Sequence, residues 1–302
     1  MKKSLREQLS RGILLINKQA GRTSHDEVAI IKRALRHMGI KEKVGHSGTL
    51  DPKVTGLLVV GIGKGTRVLE YMLLSEKRYV GEIVFHQKIT EEQLESAIKN
   101  FTGTIEQLPP VKSSVKRQLR KRDIYHIAIK SFNPDKKTAI LECAVERGTY
   151  IRKLFHDMGE YIGIRAHMGD LHRIQVGPFT EQDGMITSDA FETISNNTQS
   201  LNPFLRYKAL RQLEKTLVPI EQSIQHLPYV ILHPTVDQYL SAGQDVFVPG
   251  IQSVSDDVVL HETIMVLNQQ KKLIVIGKAL MTKEEMRTKK KGIAIEVHKV
   301  LV

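Results

Sequence analysis

Asp51 is the first side chain in the sequence whose setting suggests chemistry. It ends the segment Gly-His-Ser-Gly-Thr-Leu-Asp that begins at Gly45, and Pro52 follows it. The segment lacks the Gly-Lys-Ser/Thr ending of a phosphate-binding loop, so its glycines do not indicate a nucleotide site. An aspartate before a proline is typical of a turn. The segment alone therefore supports two interpretations: a plain turn, or a turn that presents a reactive carboxylate.

Arg152 stands at the start of a predicted amphipathic helix. The apolar face of this helix comprises Ile151, Leu154, Phe155, Met158 and Ile162. A cation in the first turn opposes the helix dipole, which costs about 0.3–1 kcal/mol at an exposed position. One explanation is a carboxylate partner, and Asp51 is a candidate, because an adjacent arginine stabilises the ionised form of an aspartate. The other explanation is a partly exposed arginine without a partner.

The distribution of charge predicts an anionic partner for the first two-thirds of the chain. The 302 residues include 45 lysines and arginines and 33 acids, a formal net charge of +12. Residues 226–302 hold only 9 of these basic side chains and 8 of the acids. The densest basic run contains no acid and consists of Lys112, Lys116, Arg117, Arg120, Lys121 and Arg122. This run either contacts nucleic-acid phosphates or forms a solvated surface loop.

Other residue types exclude several kinds of site. Cys143 is the only cysteine, which excludes a disulfide framework and a cysteine-rich zinc site. The 12 histidines form no His-Glu-x-x-His or similar pair, so we predict no metal site. Tyr79 and Tyr150 fit an ordinary half-buried strand position and a helix start. The first residues contain no apolar signal core, and we expect a soluble, intracellular protein.

Hydrophobic patterning predicts the elements that must position these side chains. Residues 12–17 form an apolar run typical of a buried strand. Ser24 and Glu27 have the spacing of a capping box, which predicts the start of a helix that ends near Gly39. Residues 187–225 have a mostly helical pattern. Further strands are predicted at residues 57–62, 79–85 and 139–145.

Leu227 and Pro228 mark a predicted domain boundary. After them, short apolar runs separated by glycines and prolines predict a β-rich module with strands at residues 229–232, 245–248, 258–261, 263–267, 273–276 and 293–300. The predicted organisation is therefore a short N-terminal extension (1–11), a larger domain (12–226) and a small β domain (227–302).

In this order, the segments resemble the pseudouridine synthases of the TruB and dyskerin families. Residues 45–56 resemble the catalytic motif, residues 77–79 the tyrosine-bearing motif and residues 148–152 the arginine-bearing motif. Residues 166–179 resemble the later apolar motif. The basic run that follows Pro109 is similar to the corresponding loop of the dyskerin branch.

Residues 227–302 resemble the PUA domain, an RNA-binding module of that branch. The similar segments are Val248–Ile251, Ile276–Leu280 and Lys291–Ala294. The resemblance implies an α+β protein, with a mixed-sheet pseudouridine synthase catalytic domain and a small, β-barrel-like PUA domain.

The resemblance also implies a role for each candidate residue. It makes Asp51 the nucleophile, Arg152 its ion-pair partner, and Tyr79 the ring that stacks on the target base and assists proton transfer. His46, Tyr150 and Leu171 then bind the substrate or shape its pocket, and the basic run binds RNA. The family reaction detaches uracil from ribose, rotates it and rejoins it through carbon. No cofactor or metal is implied, and attack by the carboxylate on the ribose or on the uracil ring are both open.

The basic loop and the PUA domain favour one branch of this family. We expect the catalytic subunit of an archaeal-type H/ACA ribonucleoprotein, cytoplasmic in an archaeon and nucleolar in a eukaryote, that modifies ribosomal RNA. The implied partners are a guide RNA, a substrate RNA and small protein subunits that dock on the catalytic domain. The alternatives are a stand-alone synthase for the T-loop uridine of tRNA and a non-catalytic RNA scaffold.

Three positions depart from the family pattern. Gln19 and Arg22 stand where prolines are usual, which predicts a less rigid loop. His172 replaces the first arginine after Leu171, which predicts a weaker structural ion pair.

Overall fold

The computed structural model describes residues 3–109, 116–234, 236, 240 and 242–301. None of the helices in these ranges is both long enough and apolar enough to cross a membrane.

The larger of two sheets is built by strands from the first 219 residues. Its strands are β1 Gly12–Lys18, β2 Val44–Ser47, β3 Thr55–Ile62, β4 Lys77–Phe85, β5 Gly103–Gln107, β6 Arg120–Asn133, β7 Thr138–Val145, β8 Ala166–Val176, β9 Phe179–Thr180 and β10 Val218–Pro219. The strand order is β10-β1-β3-β8-β4-β7-β6-β5, with β2 paired to β3 and β9 paired to β8. Pairing is antiparallel except between β3 and β8, so the sheet is mixed.

Helices cover this sheet and extend into the second domain. They are α1 Lys3–Ser10, α2 Ser24–His37, α3 Leu69–Leu74, α4 Glu91–Phe101, α5 Ile151–Ile162, α6 Ser188–Asn197, α7 Pro203–Thr216, α8 Ile220–Ser223 and α9 Lys283–Thr288. Short 3-10 helices span Gly63–Arg67 and Val248–Gly250.

Strands β1 and β3 are buried on both faces because their alternate side chains enter two different cores. Leu14 and Leu58 belong to a cluster with α1, α2, α6 and α7, in which Leu9, Ile31 and Leu213 are fully buried. The alternate residues of the same strands pack with α3, α8 and the second domain. Each fully buried leucine or isoleucine contributes about 1.5–3 kcal/mol, so these strands form a rigid base.

A third core lies under α4 and α5. The predicted apolar face of α5 is buried there, with Leu154, Phe155 and Met158 at 0% exposure. Leu50 and Ile151, the neighbours of Asp51 and Arg152, belong to this same cluster. One core therefore anchors both of the segments that carry the candidate chemistry.

The second domain contains a six-stranded mixed sheet. Its strands are β11 Tyr229–Leu232, β12 Val246–Phe247, β13 Ile251–Val254, β14 Thr263–Leu267, β15 Leu273–Ala279 and β16 Ile293–Val300, in the order β12-β16-β15-β14-β11-β13. Strands β11 and β14 are parallel, and the other pairs are antiparallel.

The two sheets share a buried interface. Leu267, Leu273 and Leu301 of the second domain pack in the cluster that contains Ile13 and Leu15 of β1. Buried Arg11 joins the same surfaces with hydrogen bonds to the carbonyl oxygens of Leu273 (2.9 Å) and Leu301 and to Glu221 Oε1 (3.2 Å).

Most predicted elements of the first domain are present, and α2 shows one error. The N-cap is Thr23, which forms a capping box with Asp26, not Ser24 with Glu27. Ser24 and Glu27 are instead buried, where they bond to other segments. Their spacing is that of a capping box, but their side chains point inward because both lie on the packed face of the helix.

In the second domain, the strand predicted at 258–261 is wrong. Val258 and Val259 adopt no regular structure, Leu260 and His261 form a turn, and His261 has a left-handed conformation with φ +69°. The sequence pattern also missed β13, where Gln252 and Ser253 are exposed and only Val254 is buried.

Candidate active site

Asp51 and Arg152 meet at the surface of the first domain. Arg152 Nη2 donates to Asp51 Oδ2 at 2.5 Å, across a separation of 101 positions in the chain. The two side chains are 56% and 57% exposed. An ion pair this exposed contributes at most about 1 kcal/mol to folding. Stability therefore does not explain why the two charges are held together, and the exposed carboxylate is accessible to a ligand.

The first turn of α5 fixes the position of Arg152. Tyr150 is the N-cap residue, but its side chain does not form the cap bond. Its backbone N–H donates to Gln107 Oε1 (3.0 Å), and its carbonyl accepts from Gln107 Nε2 (3.2 Å). Since Gln107 is 2% exposed and lies at the end of β5, it ties this turn to the sheet.

The turn that carries Asp51 is held from below by a buried lysine. Lys18, at the end of β1, is 0% exposed, and its Nζ donates to the carbonyl oxygens of Pro52 (3.1 Å) and Val54 (2.7 Å). Burial lowers the pKa of Lys18, and the nearby carboxylates of Glu27 and Asp51 oppose that effect. Backbone carbonyl oxygens just after Asp51 therefore bond to the Lys18 ammonium group, which holds this turn in place.

Arg173 holds the other side of the same loop. It is 1% exposed, with Nη2 bonded to the carbonyl oxygen of Gly48 (2.9 Å) and Nε bonded to that of Leu57 (2.8 Å). Gly56, with φ +102°, lets β3 and β8 approach closely, because an added Cβ would lie 2.3 Å from the Arg173 carbonyl oxygen. The path of the loop is therefore set on both sides of Asp51.

Helix α2 adds a third support through its first turn. The buried hydroxyl of Ser24 accepts from the backbone N–H of Leu50 (2.9 Å) and donates to the carbonyl oxygen of the same residue (3.3 Å). The loop before α2 was predicted to be less rigid because Arg22 replaces a proline. In the structure Arg22 forms an ion pair with Asp189 at 2.9 Å, and Gly21 N–H donates to the carbonyl oxygen of Pro52 (2.9 Å). The ion pair and the hydrogen bond therefore anchor the loop where prolines would otherwise restrict it.

His46 lies on β2, opposite Val60 of β3, and contacts a second imidazole. Its ring stands edge-on to that of His25, with the centroids 5.4 Å apart. Burial, followed by the charges of His25 and Arg173, lowers the pKa of His46, which favours its neutral form. Its Nδ1 is buried without a hydrogen-bond partner among the described residues.

Tyr79 and Leu171 lie on strands of the sheet and share a core with the neighbours of Asp51 and Arg152. Tyr79 lies on β4 between Cys143 of β7 and Arg173 of β8, and packs while partly buried against the core that contains Leu50 and Ile151. Leu171 is 8% exposed and belongs to that core, so little of its side chain is open to a ligand. The same core therefore joins the predicted aromatic residue to the segments of Asp51 and Arg152.

Lys77 fixes the start of β4, two residues before Tyr79. It is 5% exposed, and its Nζ donates to three carbonyl oxygens, those of Met72 (3.2 Å), Leu73 (2.8 Å) and Ser75 (2.6 Å). Burial lowers the pKa of Lys77 to about 8, with a smaller effect from the charges of nearby arginines.

His172, which replaces the expected arginine, makes polar contacts through both of its ring nitrogens. Its Nε2 lies 3.0 Å from Glu181 Oε2, and its Nδ1 lies 2.8 Å from Thr55 Oγ1. The imidazole of His172 therefore has a carboxylate partner in Glu181. This contact is an ion pair only when the imidazole is protonated.

The basic run divides into exposed and packed members. Lys112 lies outside the described residues. Lys116, Arg117 and Lys121 are exposed, whereas Arg122 is 18% exposed and lies 3.6 Å from Glu146. Arg120 begins β6 and, with Arg122 and Tyr150, lines a cavity of about 60 Å³. The run therefore ends beside the first turn of α5, which brings candidate RNA-binding residues next to the predicted substrate residue Tyr150.

Within the described ranges, no group of three or more His, Cys, Asp and Glu side chains could hold a metal ion.

Sequence reasoning missed the supporting functions of Lys18, Ser24 and Arg173. Only Lys18 gave a signal of its own, since a charge that ends the apolar run Gly12–Asn17 is unusual for a buried strand. The carbonyl partners of all these side chains are assembled by the fold.

Comparison with known families gives matches to three parts of the chain. The TruB family pseudouridylate synthase N-terminal domain matches residues 36–90, the tRNA pseudouridylate synthase B C-terminal domain matches residues 152–225, and the PUA domain matches residues 228–301. A Pyrococcus furiosus protein named probable tRNA pseudouridine synthase B is 34% identical over 302 residues, which cover 100% of this chain and 85% of the relative.

Two solved structures are similar along nearly the whole chain. A chain of a Cbf5-Nop10-Gar1 complex has a TM-score of 0.85 and 34% identity, with 99% of this chain and 87% of that chain covered. A chain of an H/ACA ribonucleoprotein bound to a substrate RNA containing 2'-deoxyuridine has a TM-score of 0.84 and 33% identity, with 98% and 86% covered.

Proposed function

Because this chain belongs to the TruB family of RNA pseudouridine synthases, we propose that Asp51 is the nucleophile with which it isomerises uridine to pseudouridine. The observation that carries this proposal is the contact of Asp51 with Arg152 in an exposed turn that three buried side chains support. A carboxylate held in this way can form a covalent intermediate with a nucleotide.

The reaction needs no external redox partner, because it only exchanges bonds within one nucleotide. The bond from ribose C1′ to N1 of uracil breaks, and a bond from C1′ to C5 forms. The proton lost from C5 is balanced by one gained at N1. Asp51 can act through attack on C1′ or on C6 of the uracil ring. In the first route C5 displaces the carboxylate from C1′ as the new carbon–carbon bond forms, and in the second the carboxylate leaves C6 when the proton is lost from C5.

Arg152 and Tyr79 are proposed to assist this step. Arg152 directs the carboxylate and balances its charge while the bonds exchange. A target uridine must leave its stack to reach Asp51, at a cost of a few kcal/mol. Stacking on the ring of Tyr79 offsets about 1–3 kcal/mol of that cost, and its hydroxyl is available for proton transfer. We assign His46, Tyr150 and Leu171 to the walls of the uridine pocket.

We further propose that a guide RNA selects the target uridine, within an H/ACA-type complex that acts on ribosomal RNA. The proposal is supported by the similarity to a chain that was solved in such a complex with substrate RNA, and by the PUA domain. We assign Lys112, Lys116, Arg117, Arg120 and Lys121 to RNA phosphates, with small protein subunits docked on the catalytic domain. Arg122, the last residue of the run, is also assigned to RNA, and its contact with Glu146 sets its position.

The name of the Pyrococcus furiosus relative favours a second candidate, a stand-alone enzyme for tRNA. An assay with the purified full chain and a tRNA transcript, with and without guide RNA, separates the two. We expect turnover to require the guide RNA and its complementary substrate. Guide-independent modification of tRNA at the rate of the assembled complex would contradict the guide-directed function and support the second candidate.

A further inference from the structure

Helix α7 has an outer face whose residue types fit RNA, although none of the residues proposed for catalysis lies on it. The inner face of the helix packs against the first domain through Ala209 and Leu213, which are 2% and 0% exposed. Side chains at spacings of three, four, seven and eleven from Phe204 fall on the opposite side. The outer α7 face therefore consists of Phe204, Tyr207, Lys208, Arg211 and Lys215.

Two aromatic rings on this face are largely exposed to solvent. Phe204 is 71% exposed and Tyr207 is 63% exposed, one helical turn apart. Contiguous exposed apolar groups of this kind mark an interaction site more often than single ones do.

The outer α7 face also carries a single sign of charge. Lys208, Arg211 and Lys215 are exposed, and no acid lies among them. Glu214 flanks the face and lies 3.4 Å from Arg211, with the two side chains 45% and 61% exposed. An exposed contact of this length is worth less than about 1 kcal/mol, so a phosphate can displace it.

We propose that the outer α7 face binds single-stranded RNA, with bases stacked on Phe204 and Tyr207 and phosphates held by the three cations. Alternation of aromatic rings and cations is the chemistry by which proteins hold unpaired nucleotides. Charge complementarity favours RNA over a protein partner, because the face carries three exposed cations and no acid, which matches a phosphate backbone. The inference requires only that this family acts on RNA, and it is independent of the role assigned to Asp51.

The first test measures the affinity of the full chain for an unstructured single-stranded RNA by fluorescence anisotropy. The double variant Phe204→Ala/Tyr207→Ala is expected to bind at least about thirtyfold more weakly, and Tyr207→Phe, which keeps the stacking ring, is expected to bind like the parent. Parental affinity in the double variant overturns the proposal.

The second test separates a defined surface from net charge. Lys208→Gln/Arg211→Gln is expected to flatten the dependence of log affinity on log salt by about 1.4, since each contact to a single strand contributes about 0.7. Arg206→Gln is the matched control, because Arg206 is an exposed cation of the same helix at a position off the outer α7 face. A loss of slope per charge in Arg206→Gln equal to that in the double variant contradicts the proposal.

A third measurement uses the unmodified chain and is independent of any effect of substitution on folding. Ultraviolet crosslinking to the same RNA is expected to attach nucleotides to the peptide that contains Phe204 and Tyr207. The absence of this crosslink, in a sample where other peptides are crosslinked, overturns the assignment. A variant of Asp51 is expected to retain the crosslink, so failure of the catalytic proposal leaves a different result from failure of this one.

Discussion

The exposed side of the proposed active site, which we call its mouth, and the buried layer directly beneath it use positive charge in opposite ways. At the mouth, Arg152 is 57% exposed and holds a single carboxylate, that of Asp51. Beneath it, Lys18 and Arg173 are 0% and 1% exposed and bond to backbone carbonyl oxygens. The surface pair is open to a ligand, whereas the buried cations have no access to one.

This difference separates reactivity from support. An exposed ion pair contributes little to folding, but its carboxylate can be reached and can change partners during a reaction. A buried cation is costly to desolvate, so it persists only where several acceptors compensate it. The buried cations therefore define the path of the loop, and the loop in turn presents Asp51.

The largest expected effect is the loss of catalysis at the mouth. Asp51→Asn removes the nucleophile with little change in volume, and we expect pseudouridine formation to fall by at least about a thousandfold. RNA affinity and thermal stability are expected to stay near those of the parent, because the ion pair is exposed. The measurement is the rate of pseudouridine formation by the variant and by the parent on the same RNA. Parental turnover in the variant would refute the catalytic assignment.

The second prediction tests how much the buried cation Lys18 contributes to stability. Lys18→Met leaves buried carbonyl oxygens without a donor, and we expect the free energy of unfolding to fall by about 3–5 kcal/mol. Lys53→Met is the matched control, because Lys53 is exposed beside the same turn. Denaturant unfolding measures both, and an equal small change in the two variants would show that the buried cation does not support the loop.

Lys77 gives a pH test of the same layer. Its pKa is about 8 in the folded chain and higher when unfolded, so its buried ammonium destabilises the fold fully below pH 8. As pH rises from 8 toward 10.5 this cost is relieved, and we expect the parent to gain about 2 kcal/mol of stability relative to Lys77→Met. Denaturant unfolding of both proteins across this range is the measurement. A constant difference would mean that Lys77 keeps its ordinary pKa.

The smallest effect concerns the exposed cations of the basic run. Lys116→Gln/Arg117→Gln/Lys121→Gln is expected to weaken RNA binding and to reduce its salt slope by about 2. Lys136→Gln is the control for the slope per charge, because Lys136 is an exposed cation between β6 and β7, outside the basic run. Anisotropy titrations at several salt concentrations provide the slopes, and an unchanged slope in the triple variant would exclude phosphate contacts by these residues.

Strong periodic patterns were readable from the sequence. The predicted strand at 12–17 is β1, and the helix placed at Ile151 by its apolar spacing is α5. The pairing of Arg152 with Asp51 was one of two readings, and the contact at 2.5 Å confirms it. The errors arose where the pattern is short: Ser24 has the residue type and spacing of an N-cap, and residues 258–261 have the pattern of a strand but are irregular and end in a turn.

By itself the sequence determined the domain composition, the basic character of the first two-thirds and the candidate reactive side chains, because these depend on local pattern and on residue type. Only the tertiary structure decided which carbonyl oxygens surround Lys18 and Arg173, which residues are exposed on α7, and that Asp51 lies open at the surface. These properties depend on contacts between segments far apart in the chain. Spacing along the sequence does not show which distant residues will be buried together.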